Sequence, residues 1–425
     1  KVGRHDNFFE LGGHSLLAIE LRDRLRNRGF TANVRTLFTT PTLSDLATNL
    51  GRHQDIVAPP NLITPGLDRL TPDLLPLIDL TQADIDAVVA RTPGGLANIQ
   101  DIYALSPLQE GILFHHLLVQ EGDPYLQVSL IAFTDRALLD RALAAVQEVI
   151  NRHDVLRTSF LWEGLSSPAQ VIWREAPLRV TEVDLSPRHG PIAEQLQRRF
   201  DPRRHRIDIR EAPLLRFAVA FDAEHGRWLM LPLMHHLIGD HPTLEFLLEE
   251  VGAILDGRSE GLPPSQPFRN LVAQARLGVS AAEHEAFFRA QLGDIDEPTT
   301  PFGLTDIRGD GGQVGEAQVM LSTELNDRLR RQARRLRVSL ASLCHLAWGQ
   351  VLARGSGRRS VVFGTVLFGR LNAGEVAGER AMGLFMNTLP LRLELDATSV
   401  ESSVRGVHDR RSEEHTSELQ SRAYL

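Results

Sequence analysis

The sequence predicts a small all-α unit followed by an α/β domain built in two lobes. Three observations predict it. Residues 1–50 carry apolar residues at helical spacing, with Leu17, Leu21 and Leu25 four apart. From about Asp101 the texture changes to alternating strand-like and helix-like segments. The punctuation GLPPSQP, from Gly261 to Pro267, then divides that alternation into two series.

In chain order, a turn at ELGGHS leads into the amphipathic helix SLLAIELRDRLRNRGF, with Gly29 where a stop is expected, and PTLSDLATNL predicts a second short helix. Residues 51–100 read as a linker and lead-in helix. Pro59, Pro60, Pro65, Pro72 and Pro76 predict an extended stretch, and Thr81 with Asp84 opens TQADIDAVVA in capping-box style. Residues 101–275 form the first lobe, with strands at LQVSLIAF and RWLMLPLM and helices at RALAAVQEVINRH and PTLEFLLEEVGAIL. Residues 276–410 form the second, with the helix LNDRLRRQARRL and the strands SVVFGTVLFGR and NTLPLRLEL. Residues 411–425 lack hydrophobic periodicity, and RSEEHTSELQS resembles a translated sequencing adapter, so that stretch is set aside as an artefact. The chain also starts inside a motif, and a longer natural protein is expected at both ends.

Composition narrows the function. A net charge of −8 over 425 residues argues against a nucleic-acid partner, which needs a basic face. No apolar run approaches the ~20 residues of a membrane helix. One cysteine, Cys344, excludes an internal disulfide framework and fits a reducing, cytoplasmic setting. It lies in the apolar stretch SLASLCHLAWGQVLA, where buried packing is expected.

Two places carry chemistry. Ser15 follows Gly12, Gly13 and His14 at a helix start, where free N–H groups and the dipole favour an arriving phosphate, or where the serine only caps. At the end of RWLMLPLM stands His235-His236-Leu237-Ile238-Gly239-Asp240-His241, ahead of a helix. A strand handing polar residues to a loop is a common place for catalysis, and an imidazole exchanges protons near neutral pH. Structural histidines and a metal site compete with that reading, although no zinc spacing is present.

The motifs resolve the choice by resemblance. DNFFELGGHSLLA is similar to the carrier-protein signature of non-ribosomal peptide synthetases, which implies 4′-phosphopantetheine on Ser15, placed by a phosphopantetheinyl transferase. HHLIGD resembles the HHxxxDG signature of condensation domains and of the chloramphenicol acetyltransferase-like superfamily, with His241 in place of the final glycine, where it is expected to add an imidazole near the site. The resemblance implies a catalytic His236 beside His235, and a structural Asp240 pairing with Arg157 of RHDVLRTSF. IYALSPLQEGILFHHL, PFRNLVAQ and MGLFMNTLPLR resemble three further motifs in the family's order, the last supplying Asn387 and Arg392. The expected fold is therefore a partial carrier followed by a condensation domain whose second lobe is truncated.

His115-His116 with Gly122-Asp123, in HHLLVQEGD, resembles the extended signature of dual epimerisation/condensation domains. Inverting a Cα needs a base and an acid, so His115 and His116 are counted with the catalytic set. The implied partners are aminoacyl and peptidyl thioesters on carrier domains, with adenylation domains upstream and adenylation and carrier domains downstream. Condensation without epimerisation, and a non-catalytic carrier or docking fragment, are the rival readings.

Overall fold

A computed structural model of the chain describes residues 58–278, 281–305, 317–368, 380–395 and 399–420, with 2–6, 8, 21, 24, 25, 28, 30, 31, 42–48, 51, 52 and 315 in addition. In the leading unit, the short helix Leu43–Thr48 buries Leu46, against which Phe8, Leu21 and Leu25 pack.

The proline-bearing stretch is not the extended linker that its composition predicts. Ile63, Leu70, Leu75, Leu77, Ile78 and Leu80 are buried. Prolines prevent regular structure here, but the leucines between them have a sheet to cover, and each buried side chain contributes about 1.5–3 kcal/mol. Helix α1 (Gln82–Arg91) follows with the expected capping box, Thr81 and Asp84 each bonding the other's backbone. Both elements lie on an antiparallel sheet of β1 (Ile99–Ala104), β4 (Thr158–Leu161) and β5 (Ala169–Trp173), with β5 central.

Helices α2 (Pro107–Leu118) and α3 (Arg136–Arg152) belong to the main core. That core also covers a second sheet, ordered β2 (Leu126–Val128), β8 (Arg227–His235), β7 (Leu215–Asp222) and β6 (Arg179–Glu182), with β3 (Ile131–Phe133) also paired to β8. The single strand expected at LQVSLIAF is thus split into β2 and β3. The break lies opposite Pro232, which has no N–H to give to the ladder. Helix α4 (Ile192–Arg199) packs on β7 and β8, and α5 (His241–Leu255) on α3. Along α3, Leu139, Ala142, Val146, Val149 and Ile150 form the helical stripe turned inward.

After α6 (Arg269–Leu277) and α7 (Ala281–Leu292), a separate core gathers α8 (Thr323–Leu336), α9 (Leu340–Ser356), β9 (Ser360–Phe368), β10 (Met386–Glu394) and α10 (Val400–Gln420). The backbone from Arg411 to Gln420, set aside on sequence grounds, continues α10. Cys344 is exposed, against expectation. The inward stripe of α9 is Ser342, Leu346, Gly349 and Leu352, and position 344 falls on the other side of the helix. Residues Ala381–Phe385 cross back and join the first lobe's core, where Phe385 meets Phe268 edge-on with ring centroids 5.8 Å apart. Among the described residues no helix is long and apolar enough to cross a membrane.

Candidate active site

β8 is buried on both faces along Leu229, Met230, Leu231, Leu233 and Met234, so it is a rigid rail. It ends at His235, a single helical turn covers His236–Ile238, and Asp240 caps the start of α5, with Pro242 in that helix's first turn. Strand, turn and capped helix hold the histidine loop from both sides.

The two rings have opposite tautomers. Nδ1 of His235 accepts the backbone N–H of Leu237 at 3.1 Å, so Nε2 carries the proton and donates it to Oδ2 of Asp123 at 3.1 Å. Nδ1 of His236 lies 3.2 Å from the carbonyl of Gly239, which can only accept, so Nδ1 carries the proton and Nε2 keeps its lone pair. His235 is fully buried and His236 half-buried. Burial pushes both imidazoles below the ordinary histidine value, and at His236 this outweighs the opposing Gly239 bond and the charges of Asp240 and Asp123. A neutral imidazole with an open Nε2 can accept a proton or hydrogen-bond an amine.

The extended motif lies directly behind this loop. His116, buried on α2, places Nδ1 2.6 Å from the same Oδ2 of Asp123, and its ring meets that of His235 edge-on. Gly122 makes this delivery feasible. Its φ is +72°, and a Cβ there would collide with the carbonyl of Arg203. The backbone N–H of Asp123 bonds the carbonyl of Pro202 at 2.7 Å. Burial alone would raise the Asp123 pKa, but its bonds to His116 and His235 hold it well below the carboxylate range. His115 is exposed, and its Nδ1 lies 2.6 Å from the hydroxyl of Tyr125.

His116, His235, His236 and Asp240 thus converge on one loop, whereas His115 reaches the Tyr125 ring beside it, and the other predicted residues fare differently. The expected pair of Asp240 with Arg157 is not what the structure describes. Oδ1 of Asp240 accepts from the Thr243 N–H and hydroxyl, and Oδ2 accepts the N–H of Phe385 at 3.2 Å. Arg157 sits where carbonyls converge, and donates to those of Ile150, Trp173 and Arg174 and to the side chain of Gln100, with Asp154 nearby. His241 does not add an imidazole to the site. It is the first residue of α5, 76% exposed, and it pairs with Glu245 at 3.3 Å, so the absent glycine's positive φ is not needed. Asn387 is the second residue of β10, a strand packed against α2, and its Oδ1 accepts the N–H of Thr388. Ser15, with Gly12, Gly13 and His14, lies outside the described residues.

Two positioning residues escaped the sequence reading. Gln109, fully buried on α2, donates from Nε2 to the carbonyl of Leu237 at 2.8 Å, while its Oε1 accepts from Ser106 N–H and from Gln170. The Ser106-x-x-Gln109 capping pattern was the available signal. The hydroxyl of Thr243 shares its one proton between Asp240 and the Gly383 carbonyl and accepts the N–H of Gly383. Gly383, at φ +144°, could bear no Cβ without running into the ring of Phe268. Through these bonds the MGLFMN segment latches onto the histidine loop.

His116, Asp123 and His235 also bring ligand-type atoms within 4.8 Å of one another. A metal there would need the Nε2 lone pair of His235, and that nitrogen carries the proton while Nδ1 accepts from Leu237. The cluster therefore reads as a hydrogen-bonded triad.

Against known proteins, residues 99–417 match the family model described as Condensation domain, and residues 1–50 match Phosphopantetheine attachment site. The chain is 57% identical over 410 residues to malpinin synthetase of Mortierella alpina, covering 96% of this chain and 5% of that protein. The chain thus spans a small fraction of that relative's length. Solved structures share its fold. The first condensation domain of the CDA synthetase is 19% identical, with a TM-score of 0.57 over 76% of each chain. The epimerization domain from the third module of tyrocidine synthetase B is 18% identical, with a TM-score of 0.59 over 72% of each.

Proposed function

The chain belongs to the condensation-domain family, and on that premise we propose that it joins carrier-tethered aminoacyl or peptidyl thioesters to an aminoacyl acceptor in non-ribosomal peptide synthesis. The observation that carries this reading is the open Nε2 of His236, on a half-buried ring whose other nitrogen is held by the Gly239 carbonyl. Ser15 stands at the signature position for 4′-phosphopantetheine within the matched segment 1–50. That group, when attached, supplies the thiol on which an acyl chain is held as an activated thioester.

The chain's own residues then do the following. The acceptor's amine attacks the donor's carbonyl carbon, and the proton it sheds goes to His236 Nε2 or is held there by a hydrogen bond. As the carbon–sulfur bond breaks, His236 would give that proton to the leaving sulfur, and the ring would end neutral. No activated nucleophile is needed, because the incoming amine does the attacking. Asp240 and Thr243 keep the loop on α5, and Gln109 holds its carbonyl side.

We assign a second step to the same site before condensation, inversion of the donor residue from L to D, in which His236 Nε2 takes the Cα proton and a proton is returned to the opposite face. The extended motif supports it, since His116 and Asp123 are built into the loop and His115 stands on the adjoining surface. The proposed partners follow from the chemistry. An adenylation domain must load the donor, a downstream module must present the acceptor, and a phosphopantetheinyl transferase must act on Ser15.

The test loads Ser15 with an L-aminoacyl pantetheine, supplies an acceptor thioester, and reads product mass and chirality. A D-L amide supports both steps. An L-L amide removes the epimerisation, and no amide removes the condensation reading.

A further inference from the structure

We propose that Asp123 is the shared positioning residue of the two histidine motifs, and that His116 acts through it rather than on substrate. This deepens the function proposed above and rests on it.

The argument begins with the acceptor inventory. A carboxylate offers about four lone-pair sites, and Asp123 places three donors on them. Oδ2 faces His116 Nδ1 at 2.6 Å and His235 Nε2 at 3.1 Å, while Oδ1 accepts the backbone N–H of Tyr125 at 3.0 Å. The two ends of this network reach the catalytic turn by separate routes. The His235 ring, oriented by Asp123, accepts the N–H of Leu237, the residue after His236. Tyr125, oriented by the other oxygen, accepts with its carbonyl the backbone N–H of His236 itself at 2.9 Å. One carboxylate therefore fixes both flanks of the residue whose Nε2 stays open.

His116 is placed to serve that carboxylate and not a substrate. Its side chain is 7% exposed, its ring packs edge-on to His235, and its Nδ1 is committed to Asp123. The carbonyl of the same residue accepts from Arg206, which ties this end of α2 down. The positive φ of Gly122 and its close approach to residues 202–203 are what bring the carboxylate under both rings. The histidine pair and the Gly-Asp of the extended motif are then explained as one device. Asparagine at 123 would offer a single acceptor oxygen, and its NH2 would face a donor.

An asparagine amide can mimic the Nδ1–H of histidine, so His116→Asn keeps the bond to Asp123 while removing the ring's acid–base chemistry. Nitrogen-15 NMR of the ring nitrogens on the 425-residue chain reads the network without turnover. The expected result is a His235 Nε2–H signal that is unchanged in His116→Asn and shifted in Asp123→Asn, where the carboxylate acceptor is gone. Amide formation is expected to fall about 100-fold in Asp123→Asn, as for a displaced catalytic group, and in His116→Ala. His116→Asn is expected to recover most of the rate and the same D-to-L ratio.

The proposal is overturned if His116→Asn forms amide normally but yields only L product, which would make His116 itself a Cα proton carrier. It is equally overturned if Asp123→Asn leaves the His235 signal and the rate unchanged. Failure of the wild type to form amide counts against the proposed function, and the NMR comparison still decides the role of Asp123.

Discussion

Replacing Gln109 with methionine keeps the volume of a fully buried side chain and deletes every polar contact that it makes with the catalytic turn. The Nε2 bond to the Leu237 carbonyl at 2.8 Å disappears, and so does the Oε1 that accepts the Ser106 N–H at 2.8 Å. Gln170 keeps the Nε2 bond to the Ala104 carbonyl when its 2.9 Å bond to Gln109 goes, and its Oε1 loses only the longer 3.3 Å bond that it accepts from Gln109, so the Leu237 and Ser106 groups carry the main loss. A buried polar group deprived of its partner costs about 1–3 kcal/mol, which gives about 2–6 kcal/mol for the pair. That is a large share of a domain stability of about 5–15 kcal/mol. The turn also loses its tie to α2, and a shift of about 1 Å in the His236 ring would cost about 100-fold in rate. Urea unfolding and single-turnover amide formation measure the two effects. A midpoint and a rate both equal to the wild type's would refute the claim that Gln109 holds the turn.

Three other outcomes follow from the structure. Burial lowers the His236 pKa below its ordinary value of about 6.5, so the neutral base persists into mild acid, and the acidic limb of kcat/KM is expected below pH 6.5; a limb above that value would contradict the burial argument. Glu250 would be raised by burial, but its bonds to His153 and Arg152, at 3.0 Å each, hold it below the ordinary carboxylate value, so its stabilisation is present above about pH 4.5 and is lost as pH falls through the depressed value. Glu250→Gln should therefore lower the urea midpoint at pH 7 and differ little from the wild type in strong acid, whereas an equal loss at both would sink the assignment. Cys344 is exposed on α9, so a maleimide should label it fully without denaturant; protection until unfolding would reverse its placement.

What the sequence made legible was the local chemistry of the strand end. An apolar run, two histidines, an aspartate and a helix start leave few other arrangements, although the cap that Asp240 makes on α5 was not read from them. Long-range pairing was harder. Arg157 has an aspartate three residues upstream and several carbonyls at hand, and no spacing rule shows that these outcompete Asp240. His241 was read as part of the site because it is adjacent in sequence, but the first turn of a capped helix points it to solvent. The prolines before residue 80 hid a buried stretch, since composition reports what a segment cannot form and not what it lies against. Gln109 and Thr243 look like ordinary helix-start residues until the fold brings Leu237 and Gly383 beside them. Cys344 shows the same limit in reverse, because an apolar helix still has an outer side.

The account's central claim is that the open nitrogen of His236 serves the attacking amine. The most direct measurement is single-turnover amide formation by His236→Ala, with donor loading on Ser15 verified by mass. The account predicts full loading, an unchanged unfolding midpoint, and a rate lower by about 100- to 10,000-fold, the range for a positioned acid–base group. Amide formation at the wild-type rate would contradict it.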